Sequence, residues 1–470
     1  MLTFTPITLE HHALLRKYYA GCDYHLCEYS AGTKLMWSLY LRPSFAEEAG
    51  CLIVRNRIDG EWVFDYPVPG PDGDVDAALT AIESYCTDTE TPLVISVVPE
   101  EKAPELLLRW PRLRMNNERN WKDYLYRAED MAAFAGRKYS GQRNHINKFR
   151  KEYPTAKFVP LTGADMPLIE NFWADYEQEF QKTSFNAKRE LAYAKALARL
   201  LPEGWLLGGG LLVDDRLVDD RLVAMSLAEN CGGTLIIHVE KALYSHQGAY
   251  PTLVQAFAAH FGGDCTYINR EDDAGDQGLR TSKLQYLPVR LAGKLRFEVR
   301  CEADRLREIP TVTTPRLTLT PLEERDEAAY NALCLDDARN RWWGYDYRQD
   351  LKGELTEDYF LSVARRDFAA RRAVNFAVRL DRQLIGEVVL YRFDWRGGAE
   401  LGCRIDPAYA GHGYGAEAFA AAADWALFRL SLARVKAKCY KENAASYKML
   451  SACMRPAGGD ETFFYFEKTV

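Results

Sequence analysis

The strongest constraint on this chain is an order of secondary-structure signals that occurs twice. Hydrophobic periodicity places a strand at Lys157–Leu161 and helices at Asp165–Phe180 and Glu190–Leu201, where apolar residues recur three and four apart. Strands follow at Trp205–Val213, Leu222–Glu229 and Thr234–Glu240, then a helix at Tyr250–Phe261 and a strand at Cys265–Ile268. A short helix at Gly278–Tyr286 and a strand at Lys294–Arg300 close the series. From Leu317–Leu322 the order starts again. Helices at Arg325–Leu333 and Glu357–Ala370 precede strands at Ala373–Leu380, Gln383–Phe393 and Ala399–Ile405. An alanine-rich helix at Gly415–Leu430, a strand at Arg434–Tyr440, a helix at Ala444–Met454 and a strand at Thr462–Glu467 complete it. One order at two places predicts two copies of one α+β fold with a mixed sheet. The first 130 residues are less regular, with helices at Leu9–Tyr19 and Val75–Cys86 and strands at Cys51–Arg55, Trp62–Tyr66 and Leu93–Val98. They read as a third, degenerate copy.

These patterns divide 470 residues into modules at 1–135 and 136–301, a linker at 302–313 and a final domain at 314–470. The linker is charged and carries Pro310 and a threonine run. Sixty basic against 67 acidic residues give −7, which excludes a general nucleic-acid binder and leaves only a local basic patch for such contacts. Eleven scattered cysteines without metal-ligand spacing point to free thiols in a reducing cytoplasm, with no metal site. No stretch reaches the roughly 18 apolar residues of a spanning helix. The tandem Val213-Asp-Asp-Arg-Leu and Val218-Asp-Asp-Arg-Leu reads as a lengthened hairpin turn rather than a carboxylate metal site.

The most informative segment is Leu401-Gly-Cys-Arg-Ile-Asp-Pro-Ala-Tyr-Ala-Gly-His-Gly-Tyr-Gly-Ala-Glu. A strand ends at Ile405 and a loop with Gly411, Gly413 and Gly415 opens into a helix. Glycines let backbone approach a ligand, and free N–H groups at a helix start favour an anion. The segment resembles motif A of the GNAT N-acetyltransferases, with Gly413 and Gly415 at its two glycine positions. Asn443-Ala-Ala-Ser446 and Pro315-Arg-Leu-Thr-Leu resemble the branch that acetylates protein N-termini. The resemblance implies acetyl-CoA as cofactor, with Cys403, Ile405, Gly411, His412, Gly413, Tyr414, Gly415 and Asn443 at its site. It also implies transfer to an amine on a small molecule or a protein N-terminus. Glu400 is the candidate base, with Glu387 and Glu461 as rivals. Two positions depart from the pattern. Ala410 replaces the leading Arg or Gln of the motif, and Leu450 replaces a tyrosine that serves as general acid. Ser446 or Tyr447 is left to protonate the thiolate. The departures keep a non-catalytic binding or sensor protein on degenerate folds as an alternative.

The first 300 residues carry another signature. Arg143, Asn144 and His145 lie in Arg-Asn-His-Ile-Asn-Lys, and Asn269, Arg270, Glu271 and Asp272 form Asn-Arg-Glu-Asp. Arg280 and Lys283, three apart, share a helix face, and Glu240 ends a strand nearby. The charge run from Arg137 to Lys151 also suits a solvated helix face. These stretches resemble the soluble C-terminal domain of phosphatidylglycerol lysyltransferases and its stand-alone relatives. That implies a tandem GNAT-like fold and aminoacyl-tRNA as a donor. Where the last domain has Gly-His-Gly-Tyr-Gly, this region has Ser245-His-Gln-Gly-Ala-Tyr-Pro. Its cradle is expected not to bind CoA.

Overall fold

A computed structural model describes residues 2–180, 185–215, 218–343, 348, 351 and 353–470. The chain forms two compact units, Met1–Pro104 with Met115–Glu298, and Glu105–Arg114 with Val299–Val470. All three sheets are mixed, with helices against them.

The first unit holds two sheets. One runs in the order Thr5–Pro6, Ser44–Glu48, Cys51–Ile58, Glu61–Asp65, Val94–Pro99, Lys294–Val299. The other runs Arg290–Ala292, Asp123–Arg127, Tyr267–Asn269, Thr234–Ala242, Val218–Cys231, Leu207–Asp215, Lys157–Leu161. The chain crosses between sheets twice. Asp123–Arg127, which precedes residue 135, pairs with Tyr267–Asn269 in the second sheet. Lys294–Val299, which follows residue 136, pairs with Val94–Pro99 in the first. Strands on both sides of 135/136 are thus exchanged, with no clean division at that point. Leu253, Val254, Phe257 and Ala258 on the helix Ala249–Phe261 bury against the second sheet, at the apolar spacing of its sequence.

The second unit has one sheet, in the order Val312–Thr313, Thr318–Pro321, Ala373–Leu380, Gln383–Tyr391, Gly398–Ile405, Arg434–Tyr440, Phe463–Thr469, Arg455–Gly459. The helix Tyr414–Phe428 packs on one face through Ala418, Phe419, Ala422, Ala423 and Ala426. The helices Glu327–Cys334 and Tyr359–Ala369 bury a separate cluster with Ala377 and Leu384. The stretch 302–313 is not a free tether. Glu302 is held by Arg112 at 2.9 Å, Ala303 is in the core, and Val312–Thr313 pairs with Thr318 and Leu319.

The duplicated Val-Asp-Asp-Arg-Leu lies in a hairpin of Leu207–Asp215 and Val218–Cys231, with Asp215 opposite Val218. Residues 216 and 217, on which the expected turn falls, lie outside the described residues. Asp220 pairs with Lys157 at 2.9 Å. Among the described residues no helix is long and apolar enough to cross a membrane. All eleven cysteines are free thiols.

Candidate functional site

In the second unit, the strands Gly398–Ile405 and Arg434–Tyr440 run parallel and pair at Gly398–Glu400 with Arg434–Lys436. The registered pairing stops there, so the Leu401–Ile405 edge borders a gap between parted strands. The glycine loop follows directly. Gly411 and Gly413 have φ of +85° and +80°, a conformation that L side chains rarely adopt, and Gly413 caps the helix Tyr414–Phe428. A Cβ on Gly411 would meet nothing within 4 Å, and one on Gly413 only Arg316 Nη2 at 3.5 Å. Among the described residues, the first N–H of this helix with an intramolecular acceptor is Glu417's, to the Gly413 carbonyl at 3.1 Å. The preceding N–H groups form an open, electropositive cradle that fits a pyrophosphate. Gly415 has a different role from its neighbours. A Cβ there would sit 3.3 Å from Ile405 Cγ1 and 3.5 Å from Met449 Sδ, so it brings helix and strand close together. His412 is exposed and accepts from Arg316 through its carbonyl at 3.0 Å, and Tyr414 lies under the Arg316 guanidinium. Cys403 lies on the helix side near the Gly415 carbonyl at 3.8 Å, with its thiol pushed up to about 12 by burial.

Alternation along Gly398–Ile405 sends Ala399, Leu401 and Ile405 into the core under the helix, and Glu400, Gly402 and Arg404 to the opposite face. Glu400 lies beside Tyr391 on the neighbouring strand and 3.4 Å from Arg392, with its side chain 22% exposed. Of its rivals, Glu387 is fully buried in an ion pair with Arg404 and accepts from Tyr330 at 2.8 Å, which leaves it no access to a substrate. Glu461 is exposed in a turn. Arg404 also donates to Asn340 at 3.1 Å and to Cys334 at 3.0 Å, tying down the helix Asp337–Trp343, whose Trp343 covers Gly402. Asn443 caps the helix Ala444–Cys453 by accepting from Ser446 N at 3.1 Å. Ser446 is half-buried in the first turn of that helix. Tyr447 instead packs edge-on against Phe464 and Phe466. Leu450 is core.

The matching place in the first unit is closed. Thr234–Ile236 pairs in parallel with Tyr267–Asn269, and the strands then part. Arg270 fills that gap. It is 4% exposed, donates to Glu240 at 2.8 Å and Tyr250 at 2.6 Å, and stacks over Tyr286. At the helix start, Gly248 has φ +89° and a Cβ there would lie 2.5 Å from the His145 carbonyl. The helix Ser140–Glu152 thus lies where Gly413, the corresponding helix cap of the second unit, has only Arg316 Nη2 at 3.5 Å. Ala249 N–H is bound to His246 and Pro251 has none, so little of an anion cradle remains.

The other residues singled out in this region separate. Arg143 donates to the Phe134 and Gly136 carbonyls at 2.5 and 2.6 Å, while Asn144 and His145 are exposed. Arg280 makes a two-pronged pair with Asp273 at 2.8 and 2.9 Å. Lys283 donates to the carbonyls of Arg270 and Asp272, and burial lowers its pKa. Asn269 and Asp272 do meet, in a buried cluster around Lys294. Its ammonium lies 2.7 Å from Glu28, 2.7 Å from Asp123, 3.1 Å from Asp272 and 3.3 Å from Cys27 Sγ. Asp123 also accepts from Cys27 N at 2.7 Å and Asn269 at 2.8 Å. The thiol and carboxylates of Cys27, Asp123 and Asp272 converge within 4.8 Å, as metal ligands do, but the ammonium occupies the cation's place. Burial pushes Glu28 up, despite the neighbouring Lys294. Glu271 belongs to a second chain, in which His238 lies between it at 3.1 Å and Glu229 at 3.0 Å. Lys294 occupies the polar phase of Lys-Leu-Arg-Phe-Glu-Val and is still buried, a placement that alternation alone assigns to solvent.

A family model described as phosphatidylglycerol lysyltransferase, C-terminal, matches residues 22–294, more than half of the chain. The chain belongs to this family. The phosphatidylglycerol lysyltransferase C-terminal region is followed by a match to an acetyltransferase (GNAT) domain over residues 316–453, so this family member is a fusion that carries a GNAT-type acyltransferase. A conserved protein of unknown function from Bacteroides thetaiotaomicron is similar in structure, with a TM-score of 0.57, 28% identity, and coverage of 63% of this chain and 99% of that one. An acetyltransferase (GNAT family) from Bacillus anthracis is 23% identical over 34% of this chain and 98% of its own, with a TM-score of 0.29. An uncharacterized protein of Mycoplasmoides gallisepticum is 26% identical over 181 residues, 38% of this chain, and the chain spans 56% of that relative's length.

Proposed function

We propose that the second unit transfers an acetyl group from acetyl-CoA to a primary amine, on a small molecule or a protein N-terminus. The observation that carries this reading is the open left-handed loop at Gly411 and Gly413, which heads a helix beside a parted parallel strand pair. The N–H groups at the head of Tyr414–Phe428 hold the phosphates, and the Leu401–Ile405 edge orients the thioester arm. Bound acetyl-CoA supplies an activated acyl carbonyl. Glu400, partly exposed on the face opposite the helix, takes a proton from the amine. Ser446 returns a proton to the departing thiolate, since the Tyr447 ring is packed edge-on against Phe464 and Phe466. Titration of acetyl-CoA into the full chain, together with thiol release across a panel of amines and N-terminal peptides, tests the reading. Glu400→Gln is expected to lower turnover at least tenfold with unchanged acetyl-CoA affinity. Absence of acetyl-CoA binding would sink the proposal.

For the first unit we propose a donor other than acyl-CoA, because Arg270 and the Ser140–Glu152 helix fill the places a CoA would need. Aminoacyl-tRNA is the donor that its family suggests. A gel shift with charged tRNA at low salt, where phosphate contacts are strongest, is expected to show a complex. No shift there rejects this donor.

A further inference from the structure

The glycine loop lacks the side chain with which its motif begins, since Ala410 replaces Arg or Gln. A cation nevertheless reaches the loop from another element. Arg316, two residues before the strand Thr318–Pro321, lies beside the cradle with its side chain 48% exposed. Its Nη1 donates to the His412 carbonyl at 3.0 Å. Its Nη2 is the one atom within 4 Å of where a Gly413 Cβ would stand. Its guanidinium carbon lies 4.7 Å from the centre of the Tyr414 ring.

Glu417 fixes this orientation. Its carboxylate accepts from Arg316 Nε at 2.6 Å, Arg316 N at 2.9 Å and Thr314 Oγ1 at 2.6 Å. These donors hold Glu417 below the usual carboxylate range, once the opposing effect of burial is overcome. With Nε taken by Glu417 and Nη1 by the loop carbonyl, Nη2 has no acceptor among the described residues. It is left on the loop side, next to the backbone N–H groups at the head of the helix. A guanidinium of this kind suits phosphate oxygens, because its fork is rigid and always charged.

We propose that Arg316 is the cationic anchor for the pyrophosphate of CoA, in place of the side chain absent at Ala410. The inference rests on the acetyl-CoA reading of the second unit and adds a binding residue to it. Arg316 contributes through Nη2 to bound phosphate, while Glu417 aims it and makes no ligand contact of its own.

The test is calorimetric titration of the full chain with acetyl-CoA and with acetyl-pantetheine, which keeps the thioester arm and has no phosphate. Arg316→Gln is expected to weaken acetyl-CoA about tenfold, the loss of one charge-assisted hydrogen bond in a half-exposed setting. Its effect on acetyl-pantetheine should be under twofold. Arg316→Lys should recover part of the loss by charge alone. Glu417→Gln removes the same ion pair but keeps the guanidinium, and should change acetyl-CoA affinity less than threefold. If Arg316→Gln and Glu417→Gln weaken binding alike, the pair only braces the loop and the proposal is overturned. If wild type binds acetyl-CoA and Arg316→Gln binds it equally well, this inference fails while the acetyl-CoA reading stands. If wild type shows no binding, that reading fails first and takes this one with it.

Discussion

Replacing Lys294 with methionine removes a buried cation and leaves its shape nearly intact. The lost ammonium has Glu28 and Asp123 at 2.7 Å and Asp272 at 3.1 Å. Removing one partner from a buried ion cluster costs about 3–5 kcal/mol. Glu28 and Asp272 are 20% and 18% exposed and can recruit water, whereas Asp123 is sealed and keeps Cys27 N, the Cys27 thiol and Asn269 as donors. The expected loss is therefore at the lower end, about 3 kcal/mol. For a unit of this size that is a fall of about 6 °C in the first thermal transition at pH 8. Its pH dependence is the sharper check. Glu28 is pushed up to about 7 by burial. An acid raised on folding contributes fully below its unfolded pKa and loses that contribution as pH climbs through the folded value. Lys294 lowers Glu28, so without the lysine the folded value moves higher and the penalty above pH 7 deepens. The variant should approach wild type at pH 5.5, with a gap of about 2 °C. Scanning calorimetry of both proteins at the two pH values measures this. Equal midpoints at pH 8, or a gap that does not narrow on acidification, would refute the cluster as described.

His238 is pushed up to about 9 because its two ring N–H groups donate to Glu229 and Glu271, which outweighs its burial. Its contribution is full below the ordinary histidine value and lost as pH rises through 9, so His238→Gln should flatten the decline in thermal midpoint between pH 7 and 10. An unchanged slope counts against a charged His238. Gly248→Ala and Gly411→Ala each force a side chain into left-handed backbone, at about 1–2 kcal/mol. Only the first also meets a carbonyl at 2.5 Å, so Gly248→Ala should lower the midpoint clearly more than Gly411→Ala. Equal losses in a melting assay would mean that the Ser140–Glu152 helix does not press on that turn. Arg404→Met leaves the fully buried Glu387 without its cation and should cost about 3–5 kcal/mol in denaturant unfolding, with near wild-type stability as the contrary result.

The glycine loop was legible because its cause is local. Gly411 and Gly413 are needed by the backbone itself, and strand, loop and helix follow one another in sequence. The long helices and central strands were legible for the same reason, through their periodicity. The second demand on Gly415, to let the helix approach Ile405 and Met449, was not legible from its spacing, because those neighbours are set by the fold. Of the Lys294 cluster only Asn269 and Asp272 stood out in the sequence, because Cys27, Asp123 and Lys294 come from other segments that nothing in the sequence joins to them. The short helix Ala31–Met36 was also missed, and its Lys34 is buried against Asp65, where pattern reading places a lysine in water. Arg143 and Asn269 looked alike as polar clusters. Only tertiary structure shows that the first caps backbone carbonyls and the second joins the buried network.

The two strand crossovers of the first unit set a timetable for synthesis. The first sheet holds residues 5–99, yet its strand beside Val94–Pro99 is Lys294–Val299, which leaves the ribosome nearly 200 residues later. Until then the outer edge of Val94–Pro99 has no partner. The apolar run Val-Ile-Ser-Val-Val is the kind of unpaired edge that nascent chains must shield. Asp123–Arg127 likewise waits for Tyr267–Asn269. Neither sheet can close before the other is almost complete, so the two halves of this unit reach their native state together, late in translation.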